Sequence, residues 1–260
     1  MSRLYAFPSI SARFVPVWRR NLLVWRKLAV PSILGNFADP LIYMLGLGYG
    51  LGRLVPDVGG VPYIVFLAAG TVCFSTMNSA TFEALYSGFS RMQVQRTWEA
   101  IMNAPLTLDD VVLAELLWTV TKSFLSGLAI LIVAWALGLS RSPMSLWILA
   151  VVPLIGIAFG ALALSITALA KSYDFFMYYF TLVVTPMSML CGVFFPTAQL
   201  PQGLQALSAA LPLSHATELV RPLLLGQSPE NIALHVATLL AYAIAGFYLA
   251  VILFRRRLLR

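Results

Sequence analysis

The sequence predicts an all-α polytopic membrane protein with six transmembrane helices, and three observations carry that reading. Hydrophobic residues fill 60% of the 260 positions and charged residues only 10%, where a soluble domain carries about 25% charged residues. Six apolar runs approach or exceed the ~20 residues that a helical crossing needs: 28–52, 63–89, 111–139, 146–170, 175–195 and 231–254. None has the polar–apolar alternation of a barrel strand. Backbone in lipid must satisfy its own hydrogen bonds, so the runs are helical. Residues 28–260 then form one transmembrane domain, preceded by a cytoplasmic segment at 1–27.

Lysine and arginine set the orientation. Arg3, Arg13, Arg19, Arg20, Arg26, Lys27, Arg91, Arg96, Lys171, the Arg255–Arg257 run and Arg260 fall on one side, while Arg53, Arg141 and Arg221 fall on the other. This bias puts both termini in the cytoplasm. The net charge of +7 therefore acts as a topology signal. With no basic loop carrying stacking aromatics and no DNA-reading motif, nucleic acid is excluded as a partner. Cys73 and Cys191 each lie within apolar sequence without metal-ligand spacing and read as small packing residues.

The first element is interfacial. "SARFVPVWRRNLLVWRK" is basic and spaces Phe14, Trp18, Leu22 and Trp25 along one helical face, as expected of a helix lying on the cytoplasmic leaflet. The first span contains "GNFADPLIYMLGLGYGLG", in which Asn36, Asp39 and Tyr43 make one polar stripe. Asp39 either lines a pathway or caps a helix broken at Pro40; a carboxylate at the centre of a span costs about 2.5–3.5 kcal/mol and must face protein or water. Gly46 with Gly50, Gly48 with Gly52, and Gly156 with Gly160 have the spacing of close helix contacts. The second span holds the polar "STMNSATFE", including Asn78.

Between the second and third runs comes "QRTWEAIMNAPLTLDD". Trp98, Ile101 and Met102 share one face, Arg96, Glu99 and Asn103 lie off it, and Pro105 stops the helix far short of a crossing. In the third span Glu115, Thr119, Lys122 and Ser126 fall on one face, with Lys122 in reach of Glu115 or of the headgroups. Ahead of the fifth span, "KSYDFFMYYF" packs aromatics from Phe175 to Phe180, part interfacial belt and part candidate lipid-contacting path through Tyr178 and Tyr179.

The long outer stretch "PTAQLPQGLQALSAALPLSHATELVRPLLLGQSPE" predicts two short, re-entrant-like helices between spans five and six. Ser214 is placed to cap the second and Pro222 to interrupt it. His215, Glu218 and Arg221 form a polar cluster there. A hydrolase reading of His215 and Glu218 fails, because no G-x-S-x-G elbow or H-E-x-x-H occurs. No G-x-x-x-x-G-K-[ST] occurs either, so the chain has no P-loop for ATP. A non-catalytic transport subunit fits these absences.

Four stretches carry a resemblance: "SILGNFADPLIYMLGLGYGLG", "QRTWEAIMNAPLTLDD", "SYDFFMYYFTLVVTPMSMLCGVFFP" and "LPLSHATELVRPLLLG". Along nearly its whole length the chain resembles the membrane subunit of type-2 ABC exporters, and within them the nodulation protein J group. The resemblance implies a homodimeric permease joined to two copies of a cytoplasmic ATPase of the nodulation protein I type. ATP and Mg would sit on that ATPase, and this chain would hold no cofactor and no metal. It also implies export of a lipo-oligosaccharide, or a similar lipid-linked glycan, across the bacterial inner membrane.

In that frame the Arg96–Met102 helix is the coupling helix, with Arg96, Trp98, Glu99, Ile101 and Met102 meeting the ATPase. Lipid tails gain about 0.8 kcal/mol per buried CH₂ and stay in the membrane, whereas sugar hydroxyls need a polar route. Asn36, Asp39, Tyr43, Asn78, Tyr178 and Tyr179 are its candidates. The same features suit a type-2 exporter of another cargo. A proton-coupled transporter would work without an ATPase, and an intramembrane hydrolase would cleave substrate alone.

Overall fold

Apolar composition this high demands helices, and helices account for nearly all of the regular structure. The computed structural model describes residues 4–55 and 57–259, apart from the side chains of residues 36, 37, 39, 40 and 43. The expected stripe of Asn36, Asp39 and Tyr43 thus lies outside the described side chains. In chain order the helices are α1 (Phe14–Arg26), α2 (Ala29–Gly50), α3 (Tyr63–Phe82), α4 (Thr97–Met102), α5 (Leu108–Ala136) and α6 (Ile148–Leu169). There follow α7 (Asp174–Tyr179), α8 (Thr185–Leu190), α9 (Gln202–Ala210), α10 (Pro212–Leu225) and α11 (Ile232–Leu258).

Among the described residues, four helical segments are long and apolar enough to cross a membrane: Tyr63–Val94, Leu108–Ala136, Pro143–Leu169 and Ile232–Leu258. The protein is an all-α membrane protein. The first run folds as α2. The fifth is shorter than its apolar sequence, because the helix through α7 and α8 ends at Leu190, where Gly192 turns the chain with φ +71°.

Local chemistry sets the boundaries. Between α2 and α3, Gly59 and Gly60 both have positive φ and close a two-rung ladder, β1 (Asp57–Val58) with β2 (Val61–Pro62). Two positive-φ residues are what a tight hairpin turn requires. Thr107 caps α5 by accepting from the Asp110 N–H while Asp110 accepts from the Thr107 N–H, a reciprocal capping box. Beyond Phe82, α3 continues as wider π-type turns, Glu83–Gly88 and Ser90–Val94.

α6 forms the centre, packed by α3, α5, α10 and α11. Close approach to α5 depends on two glycines. A Cβ at Gly156 would lie 2.2 Å from Ser123 Oγ, and one at Gly160 would lie 2.8 Å from Thr119 Cγ2. The corresponding first-span pair differs, since Gly46 and Gly50 have nothing within 4 Å. One apolar cluster centres on Met77, Leu131, Phe159 and Val220, and a second gathers Leu85, Phe89, Trp98, Leu164 and Phe254.

The stretch between α8 and α11 departs from expectation in its details. α9 keeps Leu204 and Leu207 exposed, and α10 is buried against α3, α6 and α11. Pro212 starts α10, so Ser214 sits inside it. Pro222 lies in its last turns without interrupting it, and Gly226 at φ +78° ends it. A proline there removes an N–H only one turn from the end, where the helix is about to stop.

Candidate functional site

The site is built at the far end of α3. Its π turns finish at Val94, Gln95 N–H donates back to Ser90 O, and Arg96 adopts φ +50°. That left-handed residue reverses the chain, which costs a non-glycine residue about 1–3 kcal/mol and must be held by its surroundings. Trp98 is the means. Its side chain is 0% exposed, its ring centroid lies 4.8 Å from Phe254 of α11, and Leu85, Phe89, Met92 and Leu116 share the same cluster.

This corrects one expectation. Trp98, Ile101 and Met102 do form the apolar face of α4, but that face is turned into the protein: Trp98 is fully buried, and Ile101 and Met102 are half-buried against the same cluster. Trp98 therefore cannot be an anchor inserted into another protein. Helical spacing reveals an apolar face without revealing what covers it. The outward surface carries the polar Arg96, Glu99 and Asn103, with Ala100 and Val94 exposed beside them.

Two ion-pair clusters brace this elbow. In the first, Arg91 donates to both oxygens of Glu115, at 3.1 Å from Nε to Oε1 and 2.5 Å from Nη2 to Oε2, and to Glu83 at 3.0 Å. Trp118 Nε1 also donates to Glu83 at 2.8 Å, and Asn21 of α1 donates to Glu115 at 3.2 Å. Glu115 thus pairs with Arg91 and Asn21, not with Lys122. In the second, Arg255 grips Asp109 at both carboxylate oxygens, 2.9 and 2.5 Å, and donates to the carbonyls of Leu4 and Ala6.

The N-terminal segment straps over the same base. Ser9 donates to Asp109, Ser11 donates to Asp110, and Arg13 donates to Pro105 O at 2.8 Å. α1, the α4 turn, α5 and α11 are therefore tied together at one end of the bundle.

The other candidates are dispersed. Asn78 is half-buried on α3, with no hydrogen-bond partner among the described residues. Tyr178 is 65% exposed while its neighbour Tyr179 packs inward on the core. His215 shares a hydrogen bond with His235, Nδ1 to Nδ1 at 2.8 Å, and its Nε2 is 3.0 Å from Ala209 O. Burial, then the charge of His235, holds the His215 imidazole below its usual value, against the Ala209 carbonyl and Glu218. Glu218, one turn on, is exposed and pairs with neither histidine. Arg221 lies 3.9 Å from the Phe66 ring and donates to Gly192 O. No group of three His, Cys, Asp or Glu able to hold a metal occurs among the described residues.

Sequence reasoning missed the Glu83–Arg91–Glu115 and Asp109–Arg255 clusters. The available signal was the charges themselves, because charged residues flanking or entering apolar runs almost always pair.

A bundle of long apolar helices, braced at one end by buried ion pairs, is the frame of a membrane protein. The ABC-2 type transporter family matches residues 13–225, and the chain belongs to it. It is 49% identical over 253 residues to Nodulation protein J of Bradyrhizobium diazoefficiens, covering 97% of each chain. It is 48% identical to Nodulation protein J of Rhizobium meliloti over 100% of both. At 25% identity it is also similar to the inner membrane transport permease YadH of Escherichia coli, covering 96% of this chain and 94% of that protein.

Proposed function

We propose that this chain is the membrane half of an ATP-driven exporter. It would span the bacterial inner membrane six times with both termini in the cytoplasm, and would work as a homodimer bound to two copies of a nodulation protein I-type ATPase. ATP and Mg belong to that partner; this chain supplies the path and the mechanical coupling. The cargo is a lipo-oligosaccharide or a related glycolipid, in keeping with relatives named Nodulation protein J at 46–49% identity. The basic residues flanking α1, α3 and α11 support the cytoplasmic orientation.

The observation that carries the reading is the polar surface of the Arg96–Asn103 elbow, exposed on a turn whose apolar side is locked to α11. Such a turn can take up a displacement of the ATPase and pass it to α3, α5 and α11 without deforming. The test reverses charge on the exposed side only. Arg96→Glu with Glu99→Arg should leave the purified chain as stable as wild type and abolish co-purification of the ATPase. If the double variant retains full ATPase association and export, the coupling role fails.

A further inference from the structure

Beside the braced elbow, α1, the start of α2, the end of α3 and the middle of α5 enclose a cavity of about 280 Å³. Its polar wall includes Arg20, Asn21, Ser32, Arg91 and Lys122, with Trp25 and Trp118 as flat sides. Three cations meet two carboxylates here, since Glu83 and Glu115 are both engaged by Arg91. One positive charge is in surplus within this lining.

Lys122 has three N–H donors. Among the described residues Ser32 Oγ accepts one at 2.5 Å, the Trp25 ring lies 5.4 Å away, and no carboxylate is within ion-pair distance. Arg20 donates to Asn21 and likewise has no carboxylate partner among the described residues. Burial, then the charge of Arg91, pulls the Arg20 guanidinium below its usual value, with Glu115 opposing. A half-buried lysine inside an apolar helix carries a desolvation cost that a bound anion would offset.

The depth of the cavity selects the kind of anion. Tyr63–Phe82 is 20 residues, about 30 Å of helix, which matches the hydrocarbon thickness. Glu83 then falls at the end of that length and Arg91 two turns beyond it, and Ser32 near the start of α2 lines the same cavity. On the rim, Val24 and Leu28 are 52% and 63% exposed. Cations at headgroup depth beside an open apolar rim suit a molecule that has a charged head and acyl chains. A free anion would have no use for the rim.

We propose that this cavity binds the phosphate headgroup of an anionic membrane phospholipid, with Lys122 and Arg20 on the phosphate and the chains against Val24 and Leu28. A monoanionic phosphodiester balances the single surplus charge, and basic pockets between helices on the cytoplasmic side are known to recognise such headgroups. The proposal requires only that the chain lie in a bilayer, and stands apart from the transport reading.

The test is lipid titration of the purified full chain in neutral detergent, with bound molecules counted by native mass spectrometry. Dioleoylphosphatidylglycerol should saturate one site per chain and bind roughly tenfold or more tightly than dioleoylphosphatidylcholine. Lys122→Gln should lose most of that preference and Lys122→Arg should keep it. Equal binding of the two lipids, or an unchanged preference in Lys122→Gln with Arg20→Gln, would overturn the proposal. If the glutamine variants do not fold, wild type against inorganic phosphate decides. Saturable lipid binding that excess phosphate cannot match supports a lipid site, whereas phosphate binding as tightly as the lipid refutes one.

Discussion

Truncating Trp98 separates an internal anchor from an intermolecular one. Its side chain is 0% exposed and packs on Phe254 at 4.8 Å. Trp→Ala in a packed core typically costs about 3–5 kcal/mol, to which the lost aromatic pair contributes about 0.5–1.5 kcal/mol. One effect runs the other way: the indole Nε1 is buried with no partner among the described residues, a burden of about 1–3 kcal/mol that the truncation removes. The lower end, about 3 kcal/mol, is therefore expected, or roughly 6–12 °C in Tm for a chain of this size. Trp98→Phe keeps a ring against Phe254 and drops the orphan donor, so its loss should be under about 1.5 kcal/mol. Fluorescence-detected thermal unfolding of the purified chain, without any ATPase, is the assay. If Trp98→Ala unfolds at the wild-type temperature yet fails to hold the ATPase, the side chain belongs to the partner's pocket and the packing argument is refuted.

Arg91→Leu should be among the most damaging substitutions, costing about 3–5 kcal/mol, because it strands two buried carboxylates; restoring Tm by adding Glu83→Gln and Glu115→Gln is the check, and no recovery would place the damage elsewhere. The His215–His235 bond needs at least one neutral ring, and the folded-state value of His215 is depressed by burial and by His235. A depressed value means that the unfolded chain binds more protons. This stabilisation is then complete above about pH 6.5 and lost as pH falls through the lower folded value. Tm should drop between pH 7.5 and 5.5 by more in wild type than in His235→Gln; equal drops would remove the histidine pair as the cause.

Composition and periodicity made much of the fold legible. Apolar runs had to become helices because lipid offers the backbone no partners, and the stop at Pro105 follows from a missing N–H. The existence of a two-faced α4 was legible too, since helical spacing is a property of neighbouring residues alone. Which way that face turned was not. Burying Trp98 depends on Phe254, and their distance is set by how α11 crosses the bundle. The same holds for Glu115, which had a lysine two turns along its own helix but pairs with Arg91 of α3 and Asn21 of α1. His215 likewise sits one turn from Glu218 in sequence yet bonds to His235 across the α10–α11 contact. Periodicity assigns each side chain a direction around its own axis. Only the packing of the axes decides which charge, ring or cavity it meets there.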